Sequence, residues 1–229
     1  MDHLLLFFLV AHLLIIIFLS KPFVILASES TNKSEVDRQA LLDFRQGITD
    51  PLGVLRSWRK DSLDFCSWRG VTCGKALPLR VISLELNSLG LAGQLSSSLA
   101  NLTSITRLDL GNNSFSGPIP ATLFSASSQL VFVDLEVNLF SGRIPDFPRM
   151  STLRILRLAE NSLSGKIPAS LGNVSSLTEI FMYSNSLGGS IPETLSQIQN
   201  LSFLSLSENN LVGHVPAQLY NISSLVALA

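Results

Sequence analysis

Residues that carry catalysis or redox chemistry are scarce in this chain. Its 229 residues include three histidines and two cysteines. His3 and His12 fall in an apolar N-terminal stretch, and His214 stands alone. A nucleophile elbow, a phosphate-binding glycine loop and an HExxH motif are all missing from the sequence. We therefore predict a protein that is not an enzyme and that holds no metal or cofactor.

An excess of charge of either sign is also missing. The chain has 16 Lys and Arg residues against 17 Asp and Glu residues, and the basic residues form no cluster. This balance disfavours nucleic acid as a partner. The acidic residues are dispersed; a pair such as Asp109 and Asp134 could approach across neighbouring coils, but no further catalytic residue accompanies it. A solvated polar face is favoured over a hydrolytic site.

Only one long apolar run is present, at residues 4–19, where His12 is the single polar residue. Lys21 and Pro22 interrupt it, and small residues follow near Ala27 and Ser28. This predicts a signal peptide at residues 1–28 that is cleaved in the secretory pathway. The open alternative is an uncleaved anchor, because the first residues lack Lys and Arg and a membrane span needs ~20 apolar residues. No other segment predicts a membrane span.

One pattern recurs through the rest of the chain at intervals of 23 to 25 residues. Six copies begin at Val81, Ile105, Leu130, Leu153, Leu177 and Leu201, and a seventh begins at Leu225. A period of this length marks a solenoid, in which each repeat is stable only when stacked on its neighbours.

Within a copy, Leu108 and Leu110 alternate with Arg107 and Asp109, which predicts a short strand with apolar side chains inward. An asparagine follows each strand, where its amide can satisfy backbone groups of the turn. These asparagines predict a structural ladder, formed by Asn113, Asn138, Asn161, Asn185 and Asn209. Leu89 stands at this position in the first copy, so we expect that rung to be missing.

The end of each copy carries a glycine, and four copies end in G-x-I-P, as in Gly117-Pro118-Ile119-Pro120. In this order of residues the chain resembles the plant-type leucine-rich repeat. The resemblance implies an α/β-type leucine-rich-repeat solenoid, a right-handed superhelical arc with a parallel β-sheet on its concave face. We assign residues 80–229 to six complete repeats and a truncated seventh.

Residues 29–79 are predicted to form a helical cap over the apolar flank of the first repeat, which would otherwise face water. Five residues in it are spaced as one apolar helical stripe: Val36, Ala40, Leu41, Phe44 and Ile48. The pattern W…C-x-W-x-G-V-x-C resembles the N-terminal cap of plant receptor ectodomains. Its Cys66 and Cys73 are the only cysteines and are predicted to form a disulfide, which would contribute roughly 2–3 kcal/mol.

N-x-S/T sequons favour a glycoprotein and occur at Asn32, Asn101, Asn112, Asn173, Asn200 and Asn221. Most of them precede the start of a repeat, which places them on or near the convex side. Asn112 instead adjoins a concave strand, where a glycan would obstruct part of that face.

The concave face is the predicted ligand-binding surface. The candidate residues, which the register points outward from the strands, are Arg107, Asp109, Phe132, Asp134, Ile155, Arg157, Glu179, Phe181, Tyr183, Phe203 and Ser205. Large apolar groups among them favour an interaction site. The open alternative is that these aromatic side chains pack on one another and shield the sheet. Arg157 is expected to offer a charge-assisted hydrogen bond to a partner's carboxylate.

As a whole, the chain resembles the N-terminal part of the ectodomain of a plant leucine-rich-repeat receptor-like kinase, similar to the immune, pattern-recognising branch from grasses. The resemblance implies a peptide or microbial protein ligand, a co-receptor kinase as partner, and a Ser/Thr kinase domain that this chain lacks. We expect the extracellular face of the plasma membrane as its location, or secretion if the chain is complete. The alternative hypothesis is a secreted inhibitor of a microbial cell-wall enzyme, of the polygalacturonase-inhibiting type.

Overall fold

A computed structural model describes residues 33–124 and 129–229 of the chain. The predicted signal peptide and the sequon at Asn32 lie outside these residues. Helix α1 covers residues 33–46, and short β-strands and 3-10 helices alternate after it.

Eight strands form a sheet, here called the inner sheet, that runs along all the repeats. They are β2 (Val71–Cys73), β3 (Val81–Glu85), β5 (Arg107–Asp109), β7 (Phe132–Asp134), β9 (Ile155–Arg157), β11 (Glu179–Phe181), β13 (Phe203–Ser205) and β15 (Ala227–Leu228). Neighbouring strands are parallel, apart from the antiparallel pair β2 and β3 at the cap. This is the parallel sheet that the resemblance implies, and its solvent side is the concave face.

A second sheet, the outer sheet, was not expected from the repeat pattern. It contains β1 (Ile48–Thr49), β4 (Ala92–Gln94), β6 (Ser114–Gly117), β8 (Leu139–Arg143), β10 (Ser162–Lys166), β12 (Ser186–Gly189) and β14 (Asn210–Leu211). Strand β1 of the cap pairs antiparallel with β4, so that Ile48 faces Gly93. Gly93 has a φ of 124°, and a Cβ there would lie 2.1 Å from the carbonyl oxygen of Gly47. Only glycine fits this junction.

The remaining side of the coils carries 3-10 helices instead of α-helices. Their bounds are Phe65–Ser67 in the cap, then Ser97–Asn101, Ala121–Phe124, Ala169–Asn173, Glu193–Gln197 and Ala217–Asn221. Each coil fills the space between these helices and the two sheets with the same apolar positions. Leu108 and Leu110 are fully buried, as the alternation predicts. The stacked rings of Phe44, Phe115 and Phe140 continue this core from the cap into the third coil.

The asparagine ladder has a direction that the sequence did not reveal. Asn138 Nδ2 donates to the carbonyl oxygens of Leu135 and Glu136 in its own coil and of Leu110 in the preceding coil. Its Oδ1 accepts a hydrogen bond from the Phe115 amide, again in the preceding coil. Each asparagine therefore serves the coil before it.

Leu89 supplies no rung of its own, as expected, yet the turn of the first coil is satisfied by the second coil. Asn113 Oδ1 accepts hydrogen bonds from the amides of Leu89 and Leu91, and its Nδ2 donates to the carbonyl oxygen of Leu86.

A left-handed residue precedes every ladder position. Six non-glycine residues have a φ between 51° and 58°: Ser88, Asn112, Val137, Glu160, Ser184 and Glu208. Asparagine tolerates this conformation, whereas a β-branched valine is strained in it. Val137 therefore keeps a strained backbone conformation because the turn places the following residue, Asn138, in its buried position.

The cap joins the repeats through a buried ion pair that the apolar stripe did not predict. The Asp37 side chain is fully buried and accepts hydrogen bonds from Arg80 at 2.8 and 2.9 Å and from the Val81 amide at 2.8 Å. Ala40, Leu41 and Phe44 are buried on α1 as predicted; Ile48 is buried too, but it lies in β1, beyond the end of the helix, so its place in the helical stripe was wrong. Val36 is 41% exposed, so its place in the stripe was wrong. The next residue, Asp37, faces β3 of the first repeat instead.

The cysteine prediction is confirmed by a disulfide between Cys66 and Cys73. Next to it, the Trp58 and Trp68 rings stack with 5.5 Å between their centroids, and Phe65 meets Trp68 edge-on. The indole nitrogen of Trp58 donates to the carbonyl oxygen of Arg69. The disulfide thus closes a loop that is also held by aromatic packing.

Candidate ligand-binding surface

The predicted ligand-binding residues lie side by side on the concave face. Register places one row across β5 to β13: Arg107, Phe132, Ile155, Glu179 and Phe203. A second row, two residues further along each strand, holds Asp109, Asp134, Arg157, Phe181 and Ser205. Tyr183 follows β11 two residues after Phe181. The structure therefore brings these eleven residues together on one surface.

At the cap end, Arg107 is held by one ring and two carboxylates. Its guanidinium carbon lies 3.7 Å from the centroid of the Phe132 ring, within cation–π distance. Its nitrogens lie 3.3 Å from a Glu85 oxygen and 3.1 Å from an Asp109 oxygen. The charge of Arg107 is thus already neutralised within the protein.

Asp109 points to the concave side as predicted, yet it is only 8% exposed. One of its oxygens accepts from Arg107, and the other accepts from the Gly111 amide at 3.4 Å. Asp109 therefore orients Arg107 and exposes little of its own surface; its contact with a ligand stays a prediction.

Asp134 faces Asp109 across the strands. Burial raises the pKa of the Asp134 carboxyl above its ordinary value of 3.8, and the charge of Asp109 raises it further. A hydrogen bond from the Glu136 amide at 3.0 Å and the charge of Arg157 oppose this rise. The ionised form of Asp134 is therefore less favourable in the folded protein than in the unfolded chain.

Arg157 lies at the centre of the surface without a hydrogen bond from its guanidinium group in the described chain. It sits between the rings of Phe132 and Phe181, at 5.7 and 5.5 Å from their centroids. Its nitrogens are 3.6 Å from Asp134 and 3.7 Å from Glu179, beyond hydrogen-bonding distance. Its Nε is buried and has no hydrogen-bond partner among the described residues. Arg157 therefore keeps unused donor capacity.

Tyr183 connects three coils. Its hydroxyl donates to Glu136 Oε1 at 2.8 Å and lies 3.4 Å from Glu160 Oε1. The hydrogen bond to Glu136 raises the pKa of Tyr183 well above its ordinary value of 10.0, and burial and the two negative charges act in the same direction. Glu136 was not among the eleven candidate residues, although the register points it outward two residues beyond β7, in the same row as Tyr183.

The aromatic side chains do not shield the sheet by packing on one another, as the open alternative held, and their role as an interaction site stays a prediction. Phe203 is 37% exposed, and Phe132, Ile155, Phe181 and Tyr183 are half-buried. Among the described residues no two of these rings stack on each other. Arg107 and Arg157 are interleaved with Phe132 and Phe181 instead. The rings therefore leave their outer edges open to a partner.

Two depressions share this surface. The larger, of about 510 Å³, is lined by Arg107, Asp134, Glu136, Arg157 and Asn112, among others. The smaller, of about 230 Å³, is lined by Glu136, Arg157, Phe181 and Tyr183. Because both contain Glu136 and Arg157, they form one continuous groove that crosses the strands of successive coils.

The described sequons fall into two groups. Asn101, Asn173 and Asn221 are exposed at the ends of 3-10 helices, and Asn200 is exposed in the loop before β13, all away from the concave face. Asn112 is also exposed but lines the larger depression, where its Nδ2 donates to Ser88 Oγ at 3.0 Å. Glycosylation of these residues stays a prediction.

Within residues 33–124 and 129–229, no three His, Cys, Asp or Glu side chains are grouped so that they could hold a metal ion. None of the helices described there has both the length and the apolar composition of a membrane span. What the surface offers is hydrogen-bonding, ionic and aromatic contact.

Comparison with known protein families gives two matches. Residues 34–74 match the leucine rich repeat N-terminal domain. Residues 104–126, 152–174, 176–198 and 200–222 match the leucine rich repeat. A similar curated protein is the LRR receptor-like serine/threonine-protein kinase GSO2 of Arabidopsis thaliana, with 42% identity over 112 residues, which are 48% of this chain and 9% of GSO2. The chain spans about a tenth of the length of the curated relatives it matches.

Solved structures with the same architecture are plant receptor ectodomains. That of GASSHO1/SCHENGEN3 from Arabidopsis thaliana, in complex with CASPARIAN STRIP INTEGRITY FACTOR 2, has a TM-score of 0.75 and 36% identity, and the match covers 82% of this chain and 23% of that one. Arabidopsis HAESA, in complex with the peptide hormone IDA and the co-receptor SERK1, has a TM-score of 0.61 and 32% identity, with 82% and 36% covered. The SOBIR1 ectodomain from Arabidopsis thaliana has a TM-score of 0.64 and 31% identity, with 78% and 96% covered.

Proposed function

Because this chain belongs to the leucine-rich-repeat family of plant receptor-kinase ectodomains, we propose that it recognises a peptide or protein ligand outside the cell. The ligand lies along the concave groove and crosses several strands. The chain performs no catalysis itself; it supplies binding to a longer receptor whose Ser/Thr kinase carries the signal, in defence or another response.

The observation that carries this proposal is that the Arg157 guanidinium group makes no hydrogen bond within the described residues. A guanidinium group held between two rings, with no hydrogen bond of its own, gains from a partner that brings acceptor atoms. The half-buried rings of Phe132, Phe181 and Tyr183 beside it supply apolar area that a partner can cover. Together they form a ready contact site in the middle of the groove.

The proposal extends to the partner, the compartment and the organisation of the chain. HAESA, which shares this architecture, was solved with a co-receptor as well as a peptide, and we propose a co-receptor kinase for this chain too. Entry into the secretory pathway through residues 1–28, a cap at 29–79 and repeats at 80–229 complete the proposed organisation. The matched relatives are receptor kinases, so they do not favour the secreted-inhibitor hypothesis.

The test is selection of peptides from a random library by the secreted chain, followed by affinity measurement on variants. The Phe181→Ala, Tyr183→Ala double variant is expected to bind a selected peptide at least about tenfold more weakly, which corresponds to about 1.4 kcal/mol. Tyr220→Ala is the matched control, because its ring is 69% exposed on a 3-10 helix away from the groove. An equal loss in both variants, or a library from which no peptide is enriched, would overturn the proposal.

A further inference from the structure

Charge is distributed very unevenly in this chain, although its net charge is only −1. Seven carboxylates lie on the strands of the concave face or in the turns that follow them: Glu85, Asp109, Asp134, Glu136, Glu160, Glu179 and Glu208. Two basic residues, Arg107 and Arg157, accompany them. The concave face therefore has a formal surplus of five negative charges, and all other residues together have a surplus of four positive charges.

The surplus is not neutralised inside the protein. Both arginines are already shared among Glu85, Asp109, Asp134 and Glu179. Three further carboxylates have only hydroxyl groups as side-chain partners in the described chain. Glu136 and Glu160 face the Tyr183 hydroxyl, and Glu208 accepts from the Ser184 hydroxyl. A cationic partner would neutralise these three carboxylates, and the negative electrostatic field of the concave face would attract such a partner.

The protein also contains a template for how this face holds a cation. At the cap end, the Arg107 guanidinium lies over the Phe132 ring while two carboxylates flank it. At the other end of the same row, Phe203 lies beside Glu179 in register. No guanidinium or ammonium group of the described residues covers the Phe203 ring, which is 37% exposed. Glu179 lies 3.7 Å from Arg157, beyond hydrogen-bonding distance. An uncovered ring and a weakly paired carboxylate are therefore present here without a cation over the ring.

We infer that the ligand is a cationic peptide segment that places an Arg or Lys side chain over Phe203 beside Glu179 and further basic side chains near Glu160 and Glu208. This inference rests on the proposed function and names the chemical class of its ligand. Aromatic rings next to carboxylates favour guanidinium and ammonium groups over neutral ones. The same face would repel an acidic peptide.

The experiment is the composition of peptides that the secreted chain enriches from a random library. We expect an excess of Lys and Arg over the starting library, and binding that weakens when salt is raised from about 50 to 300 mM. A selected peptide should lose about tenfold in affinity with Glu160→Gln, Glu208→Gln. The control is Asp146→Asn, Glu193→Gln, which removes two exposed charges away from the concave strands and should leave affinity unchanged.

The position of the cation is tested by Phe203→Ala against Tyr220→Ala. Phe203→Ala should reduce the affinity for basic peptides about fivefold or more, and Tyr220→Ala should not. Enriched peptides of neutral or acidic composition would overturn this inference and leave the proposed function standing. Equal effects of the paired variants would also overturn it. If no peptide is enriched, the inference falls together with the proposed function.

Discussion

Removal of the Asn138 side chain tests the idea that a buried amide holds neighbouring coils together. Asn138 is 7% exposed and makes four hydrogen bonds, three as donor and one as acceptor. In Asn138→Ala all four are lost at once, in the middle of the solenoid. We expect the free energy of unfolding to fall more than for any exposed asparagine.

The size of this loss depends on which hydrogen bonds each former partner of Asn138 keeps. The three carbonyl oxygens keep a second donor: Asn113 Nδ2 for Leu110, Asn161 Nδ2 for Leu135, and the Asn112 amide for Glu136. Their lost bonds cost about 0.5 kcal/mol each. The Phe115 amide has no other acceptor in the described chain and becomes a buried orphan, which costs about 2 kcal/mol. The expected loss is about 3–4 kcal/mol.

Urea unfolding followed by circular dichroism measures this loss, and hydrogen exchange locates it at the Phe115 amide, which should lose its protection. Asn210→Ala is the control, because that side chain is exposed and its loss should stay within about 0.5 kcal/mol. Asn138→Asp should be less stable at pH 7 than at pH 4, because an ionised carboxylate would face three carbonyl oxygens. A loss below about 1 kcal/mol with Phe115 still protected would refute the reasoning.

Four further predictions concern other parts of the chain. Asp37→Ala should destabilise the protein by about 3 kcal/mol, because it leaves a partly buried arginine unpaired, as measured by urea unfolding. Val137→Asn should raise stability by about 1 kcal/mol in the same assay, because it relieves a β-branched residue at a φ of 54°. The raised pKa of Asp134 means that the folded state holds this proton more tightly, so wild-type stability should fall as pH rises from about 4 through that pKa; Asp134→Asn should lack this fall in unfolding measured across pH. Mass spectrometry of the secreted chain should find a glycan on Asn112, and Asn112→Gln should raise peptide affinity while Asn173→Gln leaves it unchanged.

These predictions have direct controls. Asp43→Ala changes an exposed carboxylate on the same helix as Asp37 and should have little effect on stability. If Asp43→Ala and Asp37→Ala lowered the free energy of unfolding equally, the buried ion pair would have no special role. Val212→Asn should give no gain, because Val212 is exposed without a positive φ. A parallel pH dependence in wild type and Asp134→Asn would contradict the linkage. An unoccupied Asn112 would contradict the predicted obstruction of the groove.

Much of the fold could be predicted because the repeat amplifies weak local signals. One leucine-rich stretch is ambiguous, but six in register define the strands, the buried leucines and the ladder asparagines. The same logic fails where partners come from different coils. Asp37 has no sequence signal for its bond to Arg80, 43 residues away, and the apolar stripe pointed to Val36 instead. The outer sheet was missed because its short strands around the repeat glycines do not alternate clearly between apolar and polar residues.

The candidate surface divides in the same way. Period-two alternation is a property of the local backbone, so it placed eleven side chains on one face without any knowledge of their neighbours. Their states depended on contacts that the alternation does not show: Arg107 paired with Asp109 in its own strand, Tyr183 reached Glu136 two coils away, and Arg157 settled between rings of the two neighbouring coils.

By itself, the sequence determined the repeat, its period and the side of the sheet to which each residue points, because these depend on residues close along the chain. Only the tertiary structure decided which charges are neutralised, which donors stay unused and which asparagine serves which coil. Most of those outcomes depend on distances of a few ångströms between residues more than twenty positions apart, and these distances exist only after the coils have stacked.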